Sequence, residues 1–250
     1  MKSPILLLAL AVAFPQIAAG EELELRLYET REGKLDALNA RFRDHTIGLF
    51  TKHGIESVAY FTPAEEPESE NMLIYFVRHP NPGEAAQNWK AFASDPDWKE
   101  AAKNSGVGKL AKRPESIYLK WVPYWSSFDF GEVDEDDVYE LRMYTAAKGK
   151  LGKLDARFRD HTIKLFAKHG IHSVGYWHAT EEPDSENKLI YLIKHHSREA
   201  AKKSWKAFAA DPDWKAARDA SGVGKLAEPI RSYYLKLTDY SPEPKINESE

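Results

Sequence analysis

The chain has 250 residues, no cysteine and a formal net charge of −4 at pH 7. Without cysteine it cannot form a disulfide framework, a thiolate metal site or a cysteine nucleophile, so its stability has to come from an apolar core. The charges of both signs are interspersed, which gives no electrostatic reason to expect a nucleic-acid partner.

The first 20 residues have the pattern of a secretory signal peptide. Lys2 supplies a positive charge, an apolar run extends from Ile5 to Phe14, and the small residues Ala18 and Gly20 precede Glu21. The apolar run has about half the length that a membrane-spanning helix needs. We therefore predict cleavage after residue 20, a secreted or periplasmic location, and no membrane association of the mature chain.

The sequence contains a long internal repeat. Residues 24–75 align with residues 140–191 at a constant shift of 116 positions, and 34 of these 52 pairs are identical. The segment DPDWK at 95–99 recurs at 211–215, and SGVGKL at 105–110 recurs at 221–226. Such a repeat indicates tandem structural units. We predict a signal peptide at 1–20, unit 1 at 21–127, an acidic linker at 128–137, unit 2 at 138–240 and a disordered tail at 241–250.

Unit 1 changes its apolar period in a definite order. Residues 23–28 alternate between apolar and polar side chains, which predicts a strand. Residues 34–53 have apolar positions at helical spacing, and a glycine follows them as a helix stop. Residues 55–61 and 72–77 predict two strands separated by a polar turn. Residues 84–94 predict a helix, Asp95 and Pro96 are typical of the start of another, and residues 116–122 predict the last strand.

This order, β-α-β-β-α-β, is the ferredoxin-like arrangement. A four-stranded sheet of this kind covers one of its faces with its own helices and leaves the other face uncovered. Two units in one chain can cover these faces for each other. We therefore predict an α+β fold in which the two units pack sheet to sheet as an intrachain α+β barrel.

The repeated hexapeptide RFRDHT lies on the first helix of each unit, at 41–46 and 157–162. In a regular helix, His45 and His161 fall on the apolar stripe beside Phe42 and Phe158, whereas Arg41 points away from that stripe. Such a histidine is either a neutral, hydrogen-bonded core residue or a polar group at the wall of a pocket, available for proton transfer or ligand binding. Both alternatives stay open, and the two histidines and two phenylalanines are candidate pocket residues.

A second set of candidates lies on the first strand of each unit. Arg26 and Tyr28 share one strand face, and Arg142 and Tyr144 occupy the equivalent positions in unit 2. If the intervening leucines face the helices, these four side chains face the barrel interior, where they suit an anionic or aromatic ligand. A glutamate precedes each arginine by two positions and can neutralise it across strands. A ligand site and a structural ion-pair network therefore both remain open.

The sequence has no nucleophile elbow, zinc-protease motif or dinucleotide-binding motif, so we predict no cofactor and assign no catalytic residue. His169 and His172 have a spacing that zinc ligands can have, but unit 1 carries Glu56 at the position of His172. We therefore predict no metal site.

Several repeated motifs together resemble the NIPSNAP family. They are ELRLY at 24–28 and ELRMY at 140–144, a helix with F-x-x-H, and W-x-x-F followed by DPDW at 89–98 and 205–214. The resemblance covers both units and implies the dimeric α+β barrel fold. It does not imply an activity, because the family has no generally established catalytic residues. Its best-known members are mitochondrial, whereas this chain begins with a predicted export signal.

Three functions remain open at this point. The first is an exported protein that binds a small apolar or anionic molecule. The second is a protein-protein interaction module, with a protein partner or a second copy of the chain. The third is a cofactor-independent enzyme of the oxygenase or isomerase kind, with His45 and His161 as general bases. It ranks last because the predicted strand faces put these histidines and the arginines on opposite sides of the sheet.

Overall fold

The structure is a computed structural model that describes residues 21–81 and 83–243. The predicted signal peptide, and the predicted disordered tail from residue 244 onward, lie outside the described residues. None of the helices in the described ranges is both long enough and apolar enough to cross a bilayer.

Both units follow the predicted order of elements. In unit 1 these are β1 (Glu22–Glu29), α1 (Leu35–Arg41), a π-helical turn (Phe42–Thr46), α2 (Ile47–Lys52), β2 (Glu56–Pro63), β3 (Met72–His79), α3 (Ala85–Ser94), α4 (Pro96–Asn104) and β4 (Glu115–Trp121). In unit 2 they are β5 (Val138–Thr145), α5 (Leu151–Arg157), a π-helical turn (Phe158–Thr162), α6 (Ile163–Lys168), β6 (His172–Ala179), β7 (Lys188–His195), α7 (Arg198–Ala210), α8 (Pro212–Ala220) and β8 (Arg231–Leu237). Short 3-10 turns at Glu68–Glu70 and Asp184–Glu186 precede β3 and β7.

Asp95 shows why the helices of unit 1 begin and end where they do. Its carboxylate accepts a hydrogen bond from the backbone N–H of Asp97 at 2.8 Å, which caps the start of α4, and Pro96 occupies the first turn. The same carboxylate lies 2.6 Å from His53 Nε2, at the end of α2. Gly54 follows with a φ of +71°, a conformation that ends the helix and favours glycine. His53 therefore joins the two helices.

The eight strands close into one antiparallel barrel, in the order β1-β3-β2-β8-β5-β7-β6-β4. Each unit contributes four consecutive strands, and β2–β8 and β4–β6 pair across the two joints. Closure leaves none of these eight described strands with an open edge, which removes the usual route to edge-to-edge aggregation through this sheet. The predicted intrachain α+β barrel is confirmed.

The side of the sheet that each residue faces differs from the prediction. Leu25 and Leu27 belong to the barrel core, together with Ile74, Phe76 and other interior side chains. Tyr28 instead packs in the layer between the sheet and the helices of unit 1. The prediction that Arg26 and Tyr28, like Arg142 and Tyr144, face the barrel interior is therefore wrong. Both faces of the sheet are buried, so alternation tells which residues share a face but not what covers that face.

The π-helical turn changes which residues of RFRDHT are buried. A π-helical turn holds more residues than an α-helical turn, so the residues that follow it are rotated relative to a regular helix. As a result Thr46 is buried and His45 is exposed. The prediction that His45 and His161 face inward is wrong for this reason. Arg41, expected to point away from the core, is buried.

The acidic linker closes one end of the barrel. Phe130 is buried in the barrel core, and Phe128 packs against it with ring centroids 5.6 Å apart. Phe128 also lies 5.1 Å from the ring of Trp177, which is fully buried. Asp129 N donates a hydrogen bond to Val174 O at 2.9 Å. The linker is thus part of the fold, and its two phenylalanines cover apolar side chains that the barrel end would otherwise expose to water.

Candidate functional site

Each unit has a polar cluster buried between its sheet and its helices. In unit 1 the cluster centres on Glu24, a fully buried carboxylate on β1. Arg26 Nη1 donates to Glu24 Oε1 at 2.6 Å, so the predicted ion pair is present, but within one strand rather than across two strands. Trp89 Nε1 donates to Glu24 Oε2 at 2.7 Å, His79 Nε2 lies 3.1 Å from the same oxygen, and Ser116 donates to Oε1.

These contacts explain how a carboxylate is tolerated in a buried layer. Burial alone would raise the pKa of Glu24, but the hydrogen bond to His79, the Arg26 charge and the remaining hydrogen bonds hold it below its usual value. The equivalent contacts of Glu140 lower its pKa to about 2 against the same opposing effect of burial. Both glutamates are therefore ionised at neutral pH, and each is saturated with hydrogen-bond donors.

Unit 2 repeats the cluster with closely similar geometry. Glu140 accepts hydrogen bonds from Arg142, from Trp205 Nε1 at 2.7 Å and from Ser232 Oγ at 2.7 Å. His195 Nε2 lies 3.2 Å from Glu140 Oε2. The recurrence at a shift of 116 residues shows that the whole cluster, and not only its sequence motif, was duplicated.

Both arginines of the first strands also stack on aromatic rings. The Arg26 guanidinium carbon lies 4.2 Å from the Trp89 ring centroid and 5.5 Å from that of Tyr28. In unit 2, Arg142 lies 4.6 Å from Trp205 and 5.6 Å from Tyr144. Such cation–π contacts hold each guanidinium flat against its neighbours. Arg26 is therefore held by one carboxylate and two aromatic rings, and only its Nε is shielded from solvent without a partner among the described residues.

Arg41 differs from Arg26 because it has no acceptor. Its side chain is buried, with only 7% of the residue exposed, and its guanidinium stacks at 4.9 Å on the ring of Trp98. Within the described ranges it forms neither a hydrogen bond nor an ion pair, and its Nε is completely shielded from solvent. Burial lowers the pKa of Arg41 below its usual value, and the nearby hydroxyls of Tyr28 and Tyr75 offset this only in part.

Arg157 repeats this situation in unit 2. It is 8% exposed, stacks at 5.3 Å on Trp214, and its shielded Nε has no partner among the described residues. The layer between sheet and helices in each unit thus holds one glutamate and two arginines at this place, which leaves one positive charge uncompensated. A buried charge without a partner costs several kcal/mol, so the site as it stands suits an anion.

The predicted site residues are only partly brought together. Phe42 and Phe158 are buried beside the tyrosines of the cluster, with Phe42 5.2 Å from Tyr75 and Phe158 5.2 Å from Tyr191. His45 and His161 are exposed and make no hydrogen bond with the cluster in the part of the chain that the structure describes. The arginines and tyrosines of β1 and β5 belong to the cluster, but on the helix side of the sheet.

Sequence reasoning missed Arg41, His79 and their counterparts in unit 2. Two signals were available in the first helix. Phe50, an apolar residue, falls outside the stripe of a regular helix, yet it is fully buried, and an extra residue in the preceding turn resolves that conflict. Arg41 lies before that turn, three residues after the buried Leu38, and this spacing places it on the same side of α1. For His79 the signal is its recurrence as His195 at the end of the equivalent strand.

Two other features of the described residues are separate from this cluster. A cleft of about 390 Å³ lies at the end of the barrel opposite the linker, and none of the predicted site residues lines it. Asp134, Asp137 and His196 could together hold a metal ion. However, Lys194 Nζ already lies 2.9 Å from Asp137 Oδ2, so an ammonium group neutralises the buried carboxylate there.

Comparison with known structures shows the same fold in distant proteins. A protein from Fusobacterium nucleatum whose name assigns it provisionally to the monooxygenases has a TM-score of 0.56 and 10% identity, over 88% of this chain and 93% of its own. An anthrone oxidase-like protein has a TM-score of 0.54 and 13% identity, over 89% of this chain and 93% of its own. At these identities the likeness shows the fold alone.

Single-unit relatives match about half of the chain. A NIPSNAP-like domain protein from Burkholderia xenovorans has 16% identity and a TM-score of 0.39, over 44% of this chain and 91% of its own. No curated protein matches the sequence. The NIPSNAP family pattern itself matches twice, over residues 23–126 and 139–242, so this chain belongs to the NIPSNAP family and carries two NIPSNAP domains in tandem.

Proposed function

We propose that this protein binds a small organic anion in each of its two NIPSNAP domains, and that Arg41 and Arg157 hold the anionic group. The observation that carries the proposal is a buried arginine side chain without an acceptor among the described residues, which occurs at the same place in both units. A structural arginine would be expected to have its partner within the chain, as Arg26 has in Glu24.

The surroundings favour a carboxylate or phosphate attached to an apolar body. A guanidinium presents its N–H donors in a plane that matches two oxygens of such a group. Trp98 covers one face of the Arg41 guanidinium, and the rings of Phe42 and Tyr28 lie 6.0 Å apart nearby. The hydroxyl of Tyr75 is buried without a partner in the described ranges and offers a further donor. Aromatic walls around one positive charge therefore support an organic anion over a bare inorganic one.

The duplication supplies a sharp test by titration calorimetry. In a low-chloride buffer the unchanged chain should bind two equivalents of benzoate and, in a separate titration, should bind inorganic phosphate more weakly at the same two sites. Arg41→Met should bind one, and the double variant with Arg157→Met should bind none. Arg159→Met is the matched control, because it removes an exposed arginine that pairs with the adjacent Asp160. Stoichiometries that the Arg41 and Arg157 substitutions leave unchanged, or no binding of either probe, would contradict the proposal.

The unfolding stability measured in anion-free buffer distinguishes an anion-binding Arg41 from an Arg41 that supports the fold. Replacing buried charged groups by apolar side chains of similar volume is often stabilising, by roughly 1 to 4 kcal/mol for buried ion pairs, and a charge without a partner lacks even the attraction of a pair. Arg41→Met should therefore unfold at a higher denaturant concentration than the unchanged chain in anion-free buffer. If Arg41 instead supported the fold, the same substitution would lower stability. Added benzoate should stabilise the unchanged chain and have a smaller effect on the variant.

We include export in the proposal, because residues 1–20 have the pattern of a secretory signal peptide. Fractionation of producing cells and N-terminal sequencing of the purified protein test it; a chain retained in the cytoplasm and starting at Met1 would contradict it.

The interaction alternative has less support, because the exposed large apolar side chains of the described ranges are the isolated Val133 and Ile230. The enzymatic alternative depended on His45 and His161, which are exposed and outside the cluster.

A further inference from the structure

Glu115 and Arg231 occupy equivalent positions in the two units. They are 116 residues apart, and each is the first residue of the last strand of its unit, β4 or β8. Around the closed barrel every strand of unit 1 lies four places from its counterpart in unit 2. The approximate twofold axis that relates the units therefore runs along the barrel axis, and β4 and β8 stand opposite each other across it.

The two side chains meet on this axis. Ile117 and Tyr233, two residues further along each strand, belong to the barrel interior, so Glu115 and Arg231 point the same way. Arg231 Nη1 and Nη2 donate to the two carboxylate oxygens of Glu115 at 2.8 and 2.9 Å. The pair stands beside the cleft at the end of the barrel that the linker does not cover. Both side chains are partly exposed, at 38% for Arg231 and 40% for Glu115.

A twofold axis places each residue opposite its own equivalent. A barrel built from two copies of unit 1 would set Glu115 against Glu115, and a barrel built from two copies of unit 2 would set Arg231 against Arg231. Like charges in contact are unfavourable. Only the combination of unit 1 with unit 2 gives a bidentate ion pair at this place.

The strand joints between the units carry no such selection by charge. The joints β2–β8 and β4–β6 are made by main-chain hydrogen bonds, which do not depend on side-chain identity. In the barrel interior, Leu25 and Leu141 are identical equivalents, whereas Phe61 is replaced by Trp177, so the apolar packing of the two units differs in shape and not in charge. On the twofold axis itself, the two units are distinguished by charge.

We propose that the Glu115–Arg231 pair makes the barrel-forming surface of each unit selective for the other unit and rejects a second copy of itself. The partner that this surface fits is thus a NIPSNAP unit with the opposite charge on the axis. In the intact chain the pair favours one closed barrel per chain over assemblies in which like units of different chains join. This inference does not depend on anion binding.

A single charge reversal in the intact chain places two like charges on the twofold axis, as a barrel of two identical units would. Arg231→Glu sets two glutamates against each other, as in a barrel of two copies of unit 1. Glu115→Arg sets two arginines against each other, as in a barrel of two copies of unit 2. Arg231→Gln is the matched control, because it removes the same ion pair without adding a like charge. Lys112→Glu is a second control: it reverses an exposed lysine that lines the same cleft but pairs with Glu29 of its own unit.

Thermal unfolding at low salt gives the readout. We expect Arg231→Gln to lower Tm slightly, the two reversals to lower it by several degrees more, and the double variant Glu115→Arg with Arg231→Glu to return close to the unchanged chain. The extra loss caused by the reversals should shrink at about 1 M salt, where charges are screened within roughly 3 Å. Equal Tm values for Arg231→Gln and Arg231→Glu would overturn the proposal. If the single reversals fail to fold, a folded double variant supports it and an unfolded one overturns it.

Discussion

The hydroxyl of Tyr240, in the segment that follows β8 at the end of unit 2, donates a hydrogen bond of 2.7 Å to Asn39 Oδ1 on the first helix of unit 1. The equivalent segment after β4 at the end of unit 1 makes the reciprocal contact, since Tyr124 donates to Asp155 Oδ1 of unit 2 at 3.0 Å. Backbone hydrogen bonds accompany each contact, from Thr238 N to Tyr60 O in the first case. Each unit therefore ends in a strap that packs over the helix and sheet of the other unit.

The strap of unit 2 should contribute measurably to stability. Tyr240 lies 5.6 Å from the ring of Tyr60 and is partly buried. Tyr240→Phe removes the hydrogen bond and should lower the free energy of unfolding by about 1 kcal/mol, whereas Tyr240→Ala also removes apolar contacts and should cost about 2 kcal/mol or more. Denaturant unfolding measures both. A chain shortened after residue 243 keeps these contacts and serves as control; equal stability of all three proteins would show that the strap contributes nothing.

Because of the π-helical turn, substitutions at two adjacent residues should change the free energy of unfolding by unequal amounts. Thr46 is buried, and its hydroxyl donates to Arg41 O at 3.1 Å, so Thr46→Val should lower the free energy of unfolding by about 1 kcal/mol. His45 is exposed, so His45→Ala should change it by less than about 0.5 kcal/mol. Urea denaturation of the two variants tests the phase of the helix. In a regular helix the larger loss would fall on His45 instead.

Glu140 should make the protein sensitive to acid. Its folded pKa of about 2 lies below the ordinary value of 4.5, so its contribution to stability is complete above pH 4.5 and is lost as the pH falls towards 2. A shift of this size corresponds to on the order of 3 kcal/mol. Glu140→Gln should therefore lose less stability than the unchanged chain between pH 5 and pH 2.5. The exposed Glu181→Gln should follow the unchanged chain; parallel curves for all three would refute the assignment.

The linker should act as part of the barrel core. Phe130→Ala removes a buried ring at the barrel end and should lower the free energy of unfolding by about 3 kcal/mol. Val133→Ala, three residues further on, changes an exposed side chain and should have an effect below about 0.5 kcal/mol. Guanidinium unfolding followed by tryptophan fluorescence measures both. Similar small losses for the two variants would mean that the linker only connects the units.

The order of elements and the barrel were predictable because they rest on local signals. The repeat shows that one unit occurs twice, and the change from period two to helical spacing marks the strands and helices of each unit. Asp95 with Pro96, and Gly54, mark helix ends by their own backbone and side-chain chemistry. The uncovered face of each four-stranded sheet then requires the second unit. These inferences need no knowledge of which distant residues meet.

The candidate site was only partly predictable because it depends on which side of the sheet the helices cover. Alternation groups Glu24 with Arg26 and Tyr28, and this grouping is correct. It does not tell which face lies inside the barrel, since Leu25 and its neighbours are as well buried as the opposite face. The placement of Glu24 under the helices is decided by Trp89, which comes from α3 and is far away in sequence.

The duplication, the strand and helix order and the closed pairing of the two sheets follow from the amino-acid pattern alone, because periodicity, caps and repeats act over a few residues at a time. The burial of Arg41 without an acceptor among the described residues, and the exposure of His45, depend on how the first helix packs against the sheet. A single extra residue in one helical turn rotates everything that follows, and its effect on burial depends on the sheet and helices packed against that turn. The same holds for Glu115 and Arg231, whose meeting follows from the symmetry of the closed barrel.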